Sequence, residues 1–230
     1  MNELIEGDGY AIYDRLIPEN LTDNIAAKLD TLYPVRASSI EKHYAEGDDI
    51  KNLPDIAVWW SQTVHEWTDV RDIINLLDPA IKNYSDRLDF YASDIVNINP
   101  GSGWINPHVD TPHRFHEYNE DERLLGIQCI VALQDITYES GTTGLVPGSQ
   151  NQNWNIDKCY AGAYTHYFMD NYVQNDLSKG SVLLYNCRIL HSSMPNYSPK
   201  IRPALLINYL DCDIMNRVKT LDNIWRSNDG

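Results

Sequence analysis

"KGSVLLYNCRILHSSMPNYSPKIRPALLINYLD", residues 179–211, is the stretch on which the fold turns. Two apolar, β-rich runs, 180–191 and 202–211, flank a cluster of Ser, Pro and Asn that reads as a turn. Alternation in the second run puts Arg202, Ala204, Leu206 and Asn208 on one face of a strand. An arginine sharing a face with Ala204 and Leu206 points into the protein. A buried guanidinium is unfavourable unless it meets an anion, and its planar fork suits a carboxylate. His191 closes the first run, where it either caps a core strand or offers a ligand.

Working outward, "FYASDIVNINP", "LLGIQCIVALQDI" and "SGTTGLVPGS" are further short β-rich runs between Gly, Pro, Asn and Asp clusters. The N-terminal part differs. "GYAIYDRLIPEN" predicts a short strand ending at a turn, and Leu21, Ile25, Leu29 and Leu32 then fall at helical spacing between two prolines. Ile73, Leu77, Ile81, Tyr84 and Leu88 make a second stripe, interrupted by Pro79, which predicts one kinked helix or two short ones. Residues 36–68 and 150–178 lack clean periodicity and are expected to carry loops that set specificity. The tail after Asp213 is polar enough to lie on the surface or fray. Helices first and strands later predict an α+β chain with a β-barrel or jelly-roll core over roughly 89–212 and a helical flank over roughly 15–88. A single domain over 1–230 is expected.

The 18 basic and 33 acidic residues give a net charge of -15, which repels phosphate backbones and anionic membrane faces. Nucleic acid and membrane partners are therefore not expected. Cys129, Cys159, Cys187 and Cys212 form no C-x-x-C pair, which argues for reduced thiols and against a zinc knuckle or disulfide framework. The N-terminus lacks the basic residues of a secretory signal and no apolar run approaches the ~20 residues of a membrane span, so a cytoplasmic protein is expected.

The other chemistry-bearing stretch is "NPGSGWINPHVDTPHRF", residues 99–115. In a strand, positions i and i+2 project to one side, so His108 and Asp110 can aim at one metal ion. One H-x-D is a weak signal in a chain with seven histidines, and a third ligand must come from elsewhere. His191 is the well-placed candidate. His113 and His116 read as loop residues, and His43, His65 and His166 have no partner at ligand spacing. Trp104, Gln128 and Arg188 are explained by packing as well as by a substrate-facing role.

Taken together, "HVD", "SGTTGLVPGS", "KGSVLLYNCRILHSS" and "NYSPKIRPALLINY" resemble, in order, the phytanoyl-CoA dioxygenase-like group of Fe(II)- and 2-oxoglutarate-dependent oxygenases. The resemblance covers most of residues 7–211 and is weakest over 36–88 and 150–178. It implies a cupin-like double-stranded β-helix with flanking N-terminal helices, and iron held by His108, Asp110 and His191. It further implies that Arg202 pairs with the distal carboxylate of 2-oxoglutarate, that Ser193 offers that cosubstrate a hydroxyl, and that Asn97, inward with Asn99, is a further donor. The implied reaction uses O2 and 2-oxoglutarate to hydroxylate an unactivated C–H of a small-molecule or amino-acid-like substrate, releasing succinate and CO2. A carboxylate ligand at Asp110 favours hydroxylation over the halogenation of relatives with a small residue there. A peptidyl or free-proline hydroxylase and a non-catalytic cupin-like metabolite-binding module are the alternatives. "PGSQ" stands where the family often shows "PGSH", which leaves the contact made by Gln150 in question.

Overall fold

Pro18 precedes the first helix, α1 (Glu19–Leu32), and the Thr22 hydroxyl donates to the carbonyl of Glu19 in its first turn, 2.8 Å away. The computed structural model describes residues 3–32, 56–59 and 64–228. The expected short strand is β1 (Tyr10–Tyr13). The second apolar stripe forms a single helix, α2 (Thr68–Lys82), with Pro79 in its last turn, where fewer downstream backbone bonds depend on regular geometry. Ile73, Leu77 and Ile81 are its buried face, whereas Leu88 opens the next strand.

Two antiparallel sheets follow. The larger orders its strands β1-β7-β4-β9-β3-β2, with β2 (Ile56–Trp59), β3 (Leu88–Ile98), β4 (Gly126–Ala132), β7 (Val182–Asn186) and β9 (Arg202–Asp211). The smaller is β6-β5-β8, from β6 (Val173–Gln174), β5 (Thr143–Leu145) and β8 (His191–Ser193). The helical flank therefore also contains a strand: Ile56–Trp59 pairs with Ile98–Ile95 at the sheet edge. The rest of 36–63, including His43, lies outside the described residues.

Strand alternation divides the core. Ile127, Cys129, Val131, Val182, Leu184, Leu205 and Ile207 face α1 and α2, joining Ile25, Leu29, Ile73, Leu77 and Ile81. Ile130, Leu183, Tyr185 and Ala204 point the other way, toward Leu145 of the smaller sheet. This β-sandwich with helices packed outside is the jelly-roll architecture expected of the chain.

Two segments depart from expectation. Residues 150–178 carry α3 (Ile156–Tyr160) and α4 (Thr165–Asn171), and Phe168 and Trp154 pack with Met194 beside the smaller sheet. The tail after Asp213 does not fray: α5 (Met215–Asn228) docks by Ile214 and Val218 against Leu125 and Leu210. Met215 packs there as well.

Candidate metal centre

His108 and His191 are joined through the main chain. Each donates its N–H to the other's carbonyl, at 2.9 and 3.0 Å, forming an isolated antiparallel bridge. Their side chains consequently emerge together, with ring centroids 4.4 Å apart. Asp110, two residues on, lies with its carboxylate oxygens 3.9 Å from Nε2 of His108 and 3.3 Å from Nε2 of His191. All three donor atoms lie within 4.8 Å of one another. The Nδ1 atoms are engaged: that of His108 lies 2.9 Å from the carbonyl of Asn106, and that of His191 lies 3.0 Å from the carbonyl of Ile189. A carbonyl only accepts, so each Nδ1 carries the hydrogen and each Nε2 keeps its lone pair for an ion.

The electrostatics match that donor set. Burial, reinforced by His191, lowers the His108 imidazole to about 4. Burial pushes the Asp110 carboxyl upward, but His191, His108 and the Tyr185 hydroxyl outweigh it and hold it below the usual carboxylate range. A neutral imidazole and an ionised carboxylate are the forms that bind a divalent cation. The Tyr185 hydroxyl donates to Oδ2 of Asp110 at 2.9 Å, and burial together with Asp110 keeps that phenol protonated. Sequence reasoning gave Tyr185 no role. The available signal was a tyrosine in an otherwise apolar buried strand, where its hydroxyl requires a partner.

Arg202 opens β9 on the inner face and is 2% exposed. Its Nη2 donates to the carbonyl of Gly141 at 2.8 Å, while its Nε has no partner among the described residues. Gly141 has φ +82°, and a Cβ there would sit 2.4 Å from the Met194 carbonyl, so only glycine brings this carbonyl to the guanidinium. Burial lowers Arg202 to about 10, which leaves it a cation at neutral pH. Ser193 shares the inward side of β8 with His191, paired to Thr143.

Asn97 is not brought into this group. It pairs with Pro203 and alternates with Ile95, which faces the helices opposite Leu205, so Asn97 lies on the sheet face away from Arg202. The expected inward orientation is corrected by that register. Gln150 is also explained: it is 2% exposed and its Nε2 donates to the carbonyl of Gly7 at 2.8 Å, tying down the N-terminal turn rather than facing a substrate. His113 is fully buried, with Nδ1 3.0 Å from the Tyr118 carbonyl, and His116 is exposed beside Asp157. Neither joins the triad. Arg188 is buried and bonds Asn153, and Trp104 lines a surface hollow of about 300 Å³ with Tyr138, Tyr172 and Tyr197.

The family model for phytanoyl-CoA dioxygenase (PhyH) matches residues 5–204. The chain belongs to the PhyH family. Solved structures similar to this PhyH chain include the epimerase SnoN in complex with Fe3+, alpha ketoglutarate and nogalamycin RO, at TM-score 0.70 and 17% identity over 91% of this chain and 81% of that one. HygX from Streptomyces hygroscopicus, with nickel and 2-oxoglutarate bound, aligns at TM-score 0.65 and 14% identity, covering 90% and 84%. The alpha ketoglutarate-dependent carbocyclase SnoK from nogalamycin biosynthesis aligns at 0.61 and 19%, covering 89% and 80%. No curated protein matches the sequence. The PhyH fold thus hosts several reaction types on one frame. Among the described residues no helix is long and apolar enough to cross a membrane.

Proposed function

We propose that this chain is an Fe(II)- and 2-oxoglutarate-dependent dioxygenase that hydroxylates an unactivated C–H of a small-molecule substrate. His108, Asp110 and His191 would hold the iron, which would work with 2-oxoglutarate and O2. Arg202 would pair with the distal carboxylate of 2-oxoglutarate, with the Ser193 hydroxyl on the same side of the site. The observation that carries this reading is the combination of a three-donor cluster with a buried arginine whose Nε lacks a partner among the described residues. A buried guanidinium with one hydrogen bond fits an incoming dicarboxylate and makes little sense as packing. The metal-bound and 2-oxoglutarate-bound states of SnoN and HygX, and their ligands nogalamycin RO and hygromycin B, support the cofactors and a small-molecule substrate.

When bound, the iron supplies the oxidising power that couples decarboxylation of 2-oxoglutarate to attack on carbon. The chain's own share is positional. The two Nδ1–H groups hold the imidazoles in the ligating tautomer, Tyr185 fixes Asp110, and Arg202 sets the depth at which a keto acid lies. Ile98, Val96 and Ala204 line the wall beside Arg202 and keep water from it.

Anaerobic addition of Fe(II) and 2-oxoglutarate should give the visible charge-transfer band of the chelated keto acid. Admission of O2 should then yield succinate. Arg202→Ala should weaken 2-oxoglutarate binding about 100-fold, the loss of a charge-assisted pair, with Fe(II) binding intact. A wild-type protein that binds Fe(II) but forms no band, or an alanine variant that binds the keto acid as well as wild type, overturns the assignment.

A further inference from the structure

Asn208, Gln128 and Tyr185 lie side by side on β9, β4 and β7, Gln128 being directly opposite each of the other two. Tyr185 and Ala204, two strand steps toward Arg202, share the inner face of the sheet, so alternation puts this polar row on the face that carries Arg202. The row abuts the carboxylate ligand from two sides. Tyr185 bonds the Asp110 carboxylate, and Cys187 accepts the Asp110 N–H at 2.8 Å while its Sγ lies 3.7 Å from Nδ2 of Asn208. Asn208 and Leu206, with Ala92 and Asp94 across from them on β3, are only partly buried. Solvent therefore reaches this stretch of the inner wall, unlike the fully covered stretch around Arg202 and Ala204.

Nδ2 of Asn208 donates to Oε1 of Gln128 at 2.7 Å, and Oδ1 of Asn208 is buried with no partner among the described residues. A single bond between two amides uses one donor and one acceptor. Whichever way the pair is flipped, one carbonyl and one NH2 remain for something else. Nothing in the packing of the sheet requires them: an apolar pair of the same size would fill the positions without an orphaned acceptor.

We infer that Gln128 and Asn208 form the substrate-recognition edge of the site beside the triad, and that the substrate meets it with a neutral N–H beside a C=O, as in a carboxamide or lactam. This rests on the oxygenase reading, which makes the neighbouring triad the reacting end. Two parallel hydrogen bonds to that edge fix both the position and the rotation of the bound group, which a hydrophobic wall does not. A purely hydrocarbon substrate would leave the remaining carbonyl and NH2 of the pair unmet, so selectivity against it follows from the same pair.

The probes are 2-pyrrolidinone, which presents both groups, and cyclopentanone, which has the ring and the carbonyl alone. Saturation-transfer NMR on the full chain loaded with Ni(II) and 2-oxoglutarate should show saturable lactam binding at least tenfold tighter than ketone binding. In the double variant Gln128→Met/Asn208→Leu, which removes both amides together and so leaves none stranded, the lactam should bind at least tenfold more weakly and lose its preference over the ketone. The exchanged pair Gln128→Asn/Asn208→Gln should restore the preference. Equal binding of the two rings to wild type, a lactam preference that survives in the apolar double variant, or displacement of the lactam by 2-oxoglutarate overturns the inference. The first of these needs no variant to fold. Failure here with a normal charge-transfer band sinks the recognition edge alone, whereas a missing band with Fe(II) bound sinks the oxygenase reading instead.

Discussion

Tyr185 shapes the candidate metal centre without being one of its three donors. Its hydroxyl is the partner that orients Asp110, and its ring packs 4.8 Å from that of His191. Tyr185→Phe keeps the ring and removes the donor. Metal affinity should fall about tenfold and stability by about 1 kcal/mol, read by competitive metal titration and by urea unfolding; unchanged affinity would show the hydroxyl to be idle. His113 makes a different prediction. Burial lowers it to about 4 in the fold, against about 6.5 in the unfolded chain, so the unfolded state takes up a proton first as pH falls. Stability should be intact above about pH 6.5 and decline toward pH 4, by on the order of 3 kcal/mol from this residue. Urea unfolding of wild type and His113→Asn across that range should show a shallower slope in the variant. At this scale the sequence was legible where chemistry imposes spacing. The H-x-D pair and the inward side of Arg202 follow from residue type and alternation, whereas His191 reads equally as a strand cap and only the family resemblance names it as the third ligand. The orientation of Asn97 does not, because Val96, Asn97 and Ile98 are all buried and a strand covered on both faces carries no pattern that sets its phase. Only pairing with β9 decides it.

At the scale of elements, the larger sheet separates two tasks. One face packs on α1 and α2, and the other carries Tyr185 and Arg202 beside the candidate metal centre, whose donors come from β8 and the loop before β4. Leu77, fully buried between α2 and the sheet, belongs wholly to the first task. Leu77→Ala should lower stability by about 3 kcal/mol while the folded fraction binds metal as wild type does, a contrast visible in melting curves and metal titrations of one sample. Loss of metal affinity in the folded fraction would mean that the two faces are coupled. Both N-terminal helices could be read from the sequence because their stripes recur over three turns or more. The strand at Ile56–Trp59 and the helix after Asp213 could not. Four residues carry too short a period, and the helix after Asp213 is dominated by Asn, Asp, Lys, Arg, Ser and Thr, so it looks like a polar tail.

For the whole molecule, the net charge of -15 is a standing load on the compact state. Raising sodium chloride from about 10 to about 150 mM shortens the screening length from about 30 to about 8 Å, so the melting temperature should rise over that interval. A flat response would mean that neighbouring ion pairs such as Arg87 with Asp211 and Arg217 with Glu117 already neutralise the repulsion locally. The acidic surface also bears on what reaches Arg202. Arg202 is a buried cation in a chain of net charge -15, so the field it offers to the proposed dicarboxylate is short-ranged and set inside the fold.

The two imidazoles of the triad hang from a single rung of peptide ladder, His108 and His191 exchanging both main-chain bonds. Their separation is therefore a property of backbone pairing, inherited by whatever side chains occupy those positions. Exchanging either one alters the chemistry on offer without moving the frame, which makes this rung a natural place for a lineage or an engineer to retune the catalyst while leaving its architecture alone.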